Sequence, residues 1–255
     1  MRKSWTHDEQ LLTLHLYCRT PFGRLHKTNP QIVQLAEVME RSPSSVAMKA
    51  CNFAYLDPAT GGKGLPGASK ADRALWEALK VNSEEIADEA EALYEARVLQ
   101  NAPVAIEEDA PLASAAPTGP TEMKREMKVR RVQHFFRKAV LQSYNYQCAI
   151  SGLPMPELLI ASHIIPWSEN SNRRADPTNG IALHALYDKA FDQGLIAFDD
   201  DFKLIISRPL RENKNDEAVN AYFMAREGSK LLFPDRFSPD VEALAYHREK
   251  YQSLY

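Results

Sequence analysis

The chain has 255 residues, 44% of them hydrophobic and 25% charged, a composition that excludes collagen-like and wholly disordered classes. At roughly 150 residues per domain, that length holds one large domain or two small ones. No stretch approaches the roughly 18–20 apolar residues of a membrane span, and Met1–Glu9 turns acidic where a secretion signal needs an apolar core. A soluble, cytoplasmic protein with no membrane contact is expected. Three cysteines (Cys18, Cys51, Cys148) without a CxxC pair support neither a disulfide framework nor a Cys-rich zinc module. The net charge of −3 is unevenly spread: residues 1–80 carry 11 Lys/Arg against 7 Asp/Glu, residues 82–122 carry 1 against 10, and residues 123–255 carry 19 against 17. That total leaves a nucleic-acid partner open, because local basic surface decides the matter.

Residues 1–80 are expected to form a helical domain. Thr6 caps a helix bearing Leu11, Leu12, Leu14, Leu16 and Tyr17, which stops before Pro21-Phe22-Gly23. Pro30 opens a second with Ile32, Val33, Leu35, Ala36 and Met39, and Ser42-Pro43 caps a third, Val46–Phe53, that displays Lys49 and Asn52. Three such helices resemble a Myb/SANT-like or helix-turn-helix module, whose last helix enters a major groove. On that resemblance Lys49 and Asn52 are candidate DNA contacts, against a packing or protein-contact role. The glycines of Gly61–Gly67 lack the spacing of a phosphate-binding loop and read as a plain loop.

Residues 81–122 follow as an acidic helix and a linker. Ile86, Ala90, Leu93, Tyr94 and Val98 recur at helical spacing after Ser83. Asn101–Thr121, rich in Ala, Pro and acids without periodicity, is the expected domain boundary. A third segment, residues 123–255, opens at Met123 on a basic amphipathic helix running to about Tyr144. Its stripe is Val129, Val132, Phe135, Phe136, Val140 and Leu141, and its polar face includes Lys124, Arg125, Lys128, Arg130 and Arg131. This face is either solvated or in contact with phosphates, and its position before the next motif favours phosphates.

That motif begins at Leu158-Leu159-Ile160-Ala161-Ser162-His163, a β-branched run that ends in a histidine before Pro166. A loop with Arg173 and Arg174, a solvated pair or a phosphate clamp, leads to Asn179-Gly180. His184–Asp192 then reads as a short helix closed by Gly194, placing His184, Asp188 and Asp192 on one face. One imidazole and two carboxylates facing a strand-end histidine suit a divalent-cation hydrolase. Farther on, Leu195–Phe198 and Phe202–Ile206 read as a hairpin around Asp199-Asp200-Asp201, and Asp216–Tyr255 reads as helical around Pro234 and Pro239.

The run ASHIIPW…DPTNGIALHALYDKAFDQGLIAFDDD resembles the HNH nucleases, in the branch that reads SHI-P-W, NG and FD-GL. The likeness covers about residues 125–210, and the whole layout resembles bacterial HNH restriction endonucleases. It implies an α+β protein, a helical N-terminal domain followed by a ββα-metal nuclease domain with flanking helices. It further implies His163 as general base, Asn179 as the residue that fixes its loop, and Asp188 as ligand of one Mg²⁺ or Mn²⁺. Ser162 stands where the family often has an acidic or histidine ligand, so water, His184 or Asp192 is left to complete the metal shell. No structural zinc is expected, since Cys148-Ala149-Ile150-Ser151 offers one cysteine where related proteins carry a CxxC knuckle. The implied activity is metal-dependent hydrolysis of double-stranded DNA, by a homodimer if both strands are cut. A catalytically degenerate DNA-binding protein and an RNA nuclease are the alternatives.

Overall fold

The computed structural model describes residues 4–99 and 120–255, with side chains of the second stretch described from Met123 onward. The linker expected over Asn101–Thr121 lies, up to residue 119, outside the described residues. No helix among the described residues is long and apolar enough to cross a membrane. The chain forms two compact units, 1–139 with 172–176 and 140–171 with 177–255, and the architecture is α+β.

The first unit is helical because its helix starts are written into the sequence. Thr6 and Glu9 close a reciprocal capping box on α1 (His7–Arg19), and Asn29 caps α2 (Pro30–Val38), which opens on Pro30. Ser42 caps α3 (Pro43–Leu56), a full turn earlier than the apolar pattern alone indicates. Ser69 and Asp72 form a second capping box on α4 (Lys70–Val81), a helix the sequence reading passed over although its Ser-x-x-Asp signal is present. Leu12, Leu16, Ile32, Leu35, Ala36, Met39 and Val46 form one apolar cluster. α5 (Ser83–Arg97) packs on α1 and α4 within this unit.

α6 (Pro120–Ser143) confirms the long basic helix, with Val132, Phe135, Phe136 and Val140 buried. Its bases face the acids of α5 in a ladder. Lys128 meets Glu84 at 3.3 Å, Arg131 meets Asp88 at 3.4 Å and Glu95 at 2.8 Å, and His134 meets Glu91 at 3.2 Å. Both rows advance by three or four residues, the repeat of a helix face. Glu91 is buried and also meets His15 at 3.2 Å and Arg19 at 3.5 Å. Burial alone would raise its pKa, but its His15, His134 and Arg19 partners hold it below the usual carboxylate range.

Residues 172–176 complete the first unit. The buried Ser83 hydroxyl donates to the Asn172 carbonyl at 2.7 Å and accepts from the Ala175 amide at 3.0 Å, while Arg174 donates to Glu84 at 2.9 Å.

The second unit is built on two antiparallel hairpins. β1 (Leu159–His163) pairs with β2 (Gly180–His184), Leu159 opposite His184 and His163 opposite Gly180. β3 (Ile196–Phe198) pairs with β4 (Leu204–Ile206), as the turn at Asp199–Asp201 indicates. α7 (Ala185–Asp192) packs on both strands of the first hairpin and on β3, burying Tyr187, Ala190 and Phe191. α8 (Arg208–Glu212), α9 (Glu217–Tyr222) and α10 (Val241–Lys250) follow. The tail is helical on either side of Pro234 and Pro239, and residues 227–240, which include them, run between α9 and α10 without helix.

Gly194 ends α7 at φ 67°, donating to the Phe191 carbonyl at 2.9 Å. A methyl group there would run into the Tyr251 ring, and Tyr255 Oη donates to the Gly194 carbonyl at 2.8 Å. Gly194→Ala is expected to cost about 2 kcal/mol or more from the left-handed backbone and the collision together, read as a lowered unfolding temperature.

His247 of α10 stacks flat on Phe191, ring centroids 3.8 Å apart and 2° from parallel, and its Nε2 donates to the Phe191 carbonyl at 2.9 Å. Its buried Nδ1 has no hydrogen-bond partner. Burial drives the imidazole pKa from 6.5 down to about 4 against the pull of that carbonyl, and Lys250 and Arg248 add to the lowering. The fold thus holds a neutral ring that the unfolded chain protonates. Its stabilisation is complete above pH 6.5 and is lost as pH falls towards 4, by about 3 kcal/mol. His247→Phe is expected to flatten that part of the stability curve in thermal unfolding at stepped pH, and an unchanged slope would contradict this.

Candidate active site

The site sits where β1 ends. His163 is the last residue of the strand and lies half-buried opposite Gly180, which has no side chain to crowd it. Trp167 meets its ring edge-on, centroids 5.7 Å apart at 85°. The chain beyond the imidazole is held by Asn179, itself 1% exposed. Asn179 Oδ1 accepts from the Ile165 amide at 2.8 Å, its Nδ2 donates to the Ile165 carbonyl at 3.1 Å, and its own carbonyl accepts from the Ile164 amide at 2.9 Å. One buried side chain thereby satisfies both polar groups of the second residue past His163 and fixes the direction of the chain there.

Successive strand side chains point to opposite faces, so Ser162 turns inward where His163 does not. Ser162 is 2% exposed and its Oγ makes no hydrogen bond of regular geometry. It nevertheless lies close enough to the Asp188 carboxyl on α7 to favour the ionised form. Burial prevails and raises the Asp188 pKa above the ordinary carboxylate value, with Asp192 adding to the rise and Lys189 opposing it. Partial desolvation likewise raises Asp192 on the last turn of α7.

His184 is placed differently from the sequence reading. It ends β2 and caps α7 instead of sharing the helix face with Asp188 and Asp192. Its ring lies tilted at 31° against Tyr187, centroids 4.3 Å apart, and its pKa is lowered by burial and then by the Arg226 guanidinium. Arg226 has no signal in the sequence that ties it to the motif; only the fold brings it there.

Among the described residues no three His, Cys, Asp or Glu side chains gather to hold a metal ion. The neighbouring oxygen donors are Asp188 and the orphaned Ser162 hydroxyl. That pair fits a hard cation such as Mg²⁺, which keeps several waters and binds through one or two carboxylates plus substrate phosphate.

The expected DNA contacts of the first unit are engaged within it. Lys49, expected on display, is buried instead: its Nζ meets Asp72 at 2.7 Å, because the Asp72 carboxylate is fully enclosed and needs a counter-charge. Asn52 donates to the Leu65 carbonyl at 2.9 Å. Arg173 donates to Asp176 at 2.8 Å and Arg174 to Glu84 at 2.9 Å, so neither is a bare clamp. Arg131 is committed to the α5 ladder, and the half-exposed Arg130 pairs with Glu126 at 2.9 Å.

Residues 148–199 match the HNH endonuclease family. The match spans the ββα unit from Cys148 through the hairpin and α7 to Asp199, and it supports a nuclease of the HNH type acting on DNA. No curated protein matches the chain. Within the HNH segment the structure brings Ser162, His163, Asn179 and Asp188 to one end of the hairpin, and it leaves His184 at the other end beside Arg226.

Proposed function

We propose that this protein is a metal-dependent HNH endonuclease that hydrolyses phosphodiester bonds of double-stranded DNA, in a restriction role. The observation that carries the reading is the Asn179 clamp behind His163, with Asp188 across the same strand end at Ser162. His163 accepts the proton of the attacking water, a task an imidazole suits near neutral pH. Asn179 holds the backbone that aims it. Asp188 and Ser162 would hold Mg²⁺ or Mn²⁺ through oxygen. When bound, the cation supplies charge stabilisation at the scissile phosphate and its leaving 3′ oxygen. The products are a 5′-phosphate and a 3′-hydroxyl, and cutting both strands calls for two copies of the chain.

The small donor set favours a second reading, a DNA-binding protein without cleavage. Plasmid incubated with the chain in Mg²⁺, in Mn²⁺ and in EDTA, on methylated and unmethylated DNA, separates the two. Cutting that needs the cation supports the nuclease, and a difference between the two DNAs supports restriction. Binding in EDTA with no cutting in either metal favours the second reading.

A further inference from the structure

We propose, resting on the nuclease reading, that Arg226 binds a DNA phosphate flanking the one that is cleaved. Arg226 closes the turn after α9 and is half-buried against the first turn of α7. Its Nη1 donates to the Ile150 carbonyl at 3.3 Å, and its charge acts on both His184 and Tyr187. Tyr187 Oη in turn donates to the Tyr222 carbonyl at 2.6 Å, and Phe223 meets the Tyr187 ring edge-on, so α9 and the turn after it are fastened to α7. The neighbouring acid, Glu227, is turned to Arg211. Among the described residues no carboxylate pairs with Arg226.

A half-buried guanidinium with neutral neighbours retains an uncompensated charge, whereas Arg19, Arg131, Arg173 and Arg174 of the first unit have carboxylates. A planar fork of donors in that state is matched to phosphate oxygens. Its place fits a phosphate farther along the DNA: His184 stands opposite Leu159, four residues or about 13 Å of strand from His163, and phosphates recur along one strand every 3.4 Å or so of duplex axis. Contacts of this kind set the register of the duplex on the enzyme without reading sequence.

The test is binding of the full chain to a short duplex in EDTA over a series of salt concentrations, beside cleavage in Mg²⁺. Arg226→Ala is expected to weaken binding about tenfold and to reduce the slope of log affinity against log salt by about one. In cleavage, KM should rise more than kcat falls. Arg226→Lys should keep the slope and recover part of the affinity, and Arg226→Gln keeps a donor for Ile150, which guards against a folding defect. Unchanged affinity and slope with a lowered unfolding temperature would overturn the proposal, as would a wild-type chain that does not bind duplex. Failure of the nuclease reading shows elsewhere, as absence of metal-dependent cutting by wild type, and leaves the binding arm to judge Arg226.

Discussion

His163→Ala is expected to cut DNA about 10²–10⁴-fold more slowly than wild type, the range a positioned general base contributes, while binding DNA normally. The expectation follows from where the ring sits. It closes β1 opposite a glycine, half-exposed, with Trp167 edge-on to it, so truncation removes little packing. The chain past it is held by Asn179 through backbone groups of Ile164 and Ile165, which the substitution leaves intact. A single-turnover cleavage assay on a saturating duplex reads the chemical step directly. A mutant that cuts at the wild-type rate would remove His163 from the mechanism, and one that unfolds would show in circular dichroism before the assay is run.

Lys49→Met is expected to destabilise the first unit by about 3–5 kcal/mol, the cost of leaving a buried charge without its partner. Asp72 is fully buried and takes Lys49 Nζ at 2.7 Å, Gln10 Nε2 at 2.8 Å and the Ser69 amide at 2.7 Å. Burial alone would raise its pKa, yet Lys49 and Ser69 hold it below the ordinary carboxylate value. The pair's contribution is therefore complete above the unfolded carboxylate value and is lost as pH falls below it through the lower folded value. Denaturant unfolding at neutral pH checks the magnitude. The same variant distinguishes a structural lysine from a DNA contact: if Lys49 bound phosphate, affinity would fall with a reduced salt slope and stability would hold.

What was legible in the sequence was local. Thr6, Pro30 and Ser42-Pro43 each mark a helix start, and α1, α2 and α3 begin beside them, the third a turn before its apolar pattern. The β3–β4 hairpin was equally plain, because its turn and both apolar strands are contiguous. The ββα segment was legible for the same reason, its histidine, asparagine and aspartate lying within one short stretch. Partners far apart in the chain were not. Lys49 looked displayed because Asp72 lies on another helix, and the basic face of α6 looked free because Glu84, Asp88, Glu91 and Glu95 had been assigned to a separate acidic segment. Arg226 was missed because no periodicity links it to α7. The sequence alone places His184, the last residue of β2, on the helix face, because a strand that runs straight into a helix leaves no turn signal between them.

The lodging of residues 172–176 in the helical unit bears on how the gene can be cut. A fragment beginning at Met123 contains the whole ββα motif, yet it lacks Ser83 and Glu84. The Asn172 carbonyl, the Ala175 amide and the Arg174 guanidinium then lose the partners that hold them, and these lie on the connection between His163 and Asn179. Expression as a minimal nuclease therefore trades a shorter polypeptide for a slack strand connection. A shuffled chimera that exchanges the helical half must carry a serine and an acid at the start of its α5 if the recipient loop is to keep its anchor.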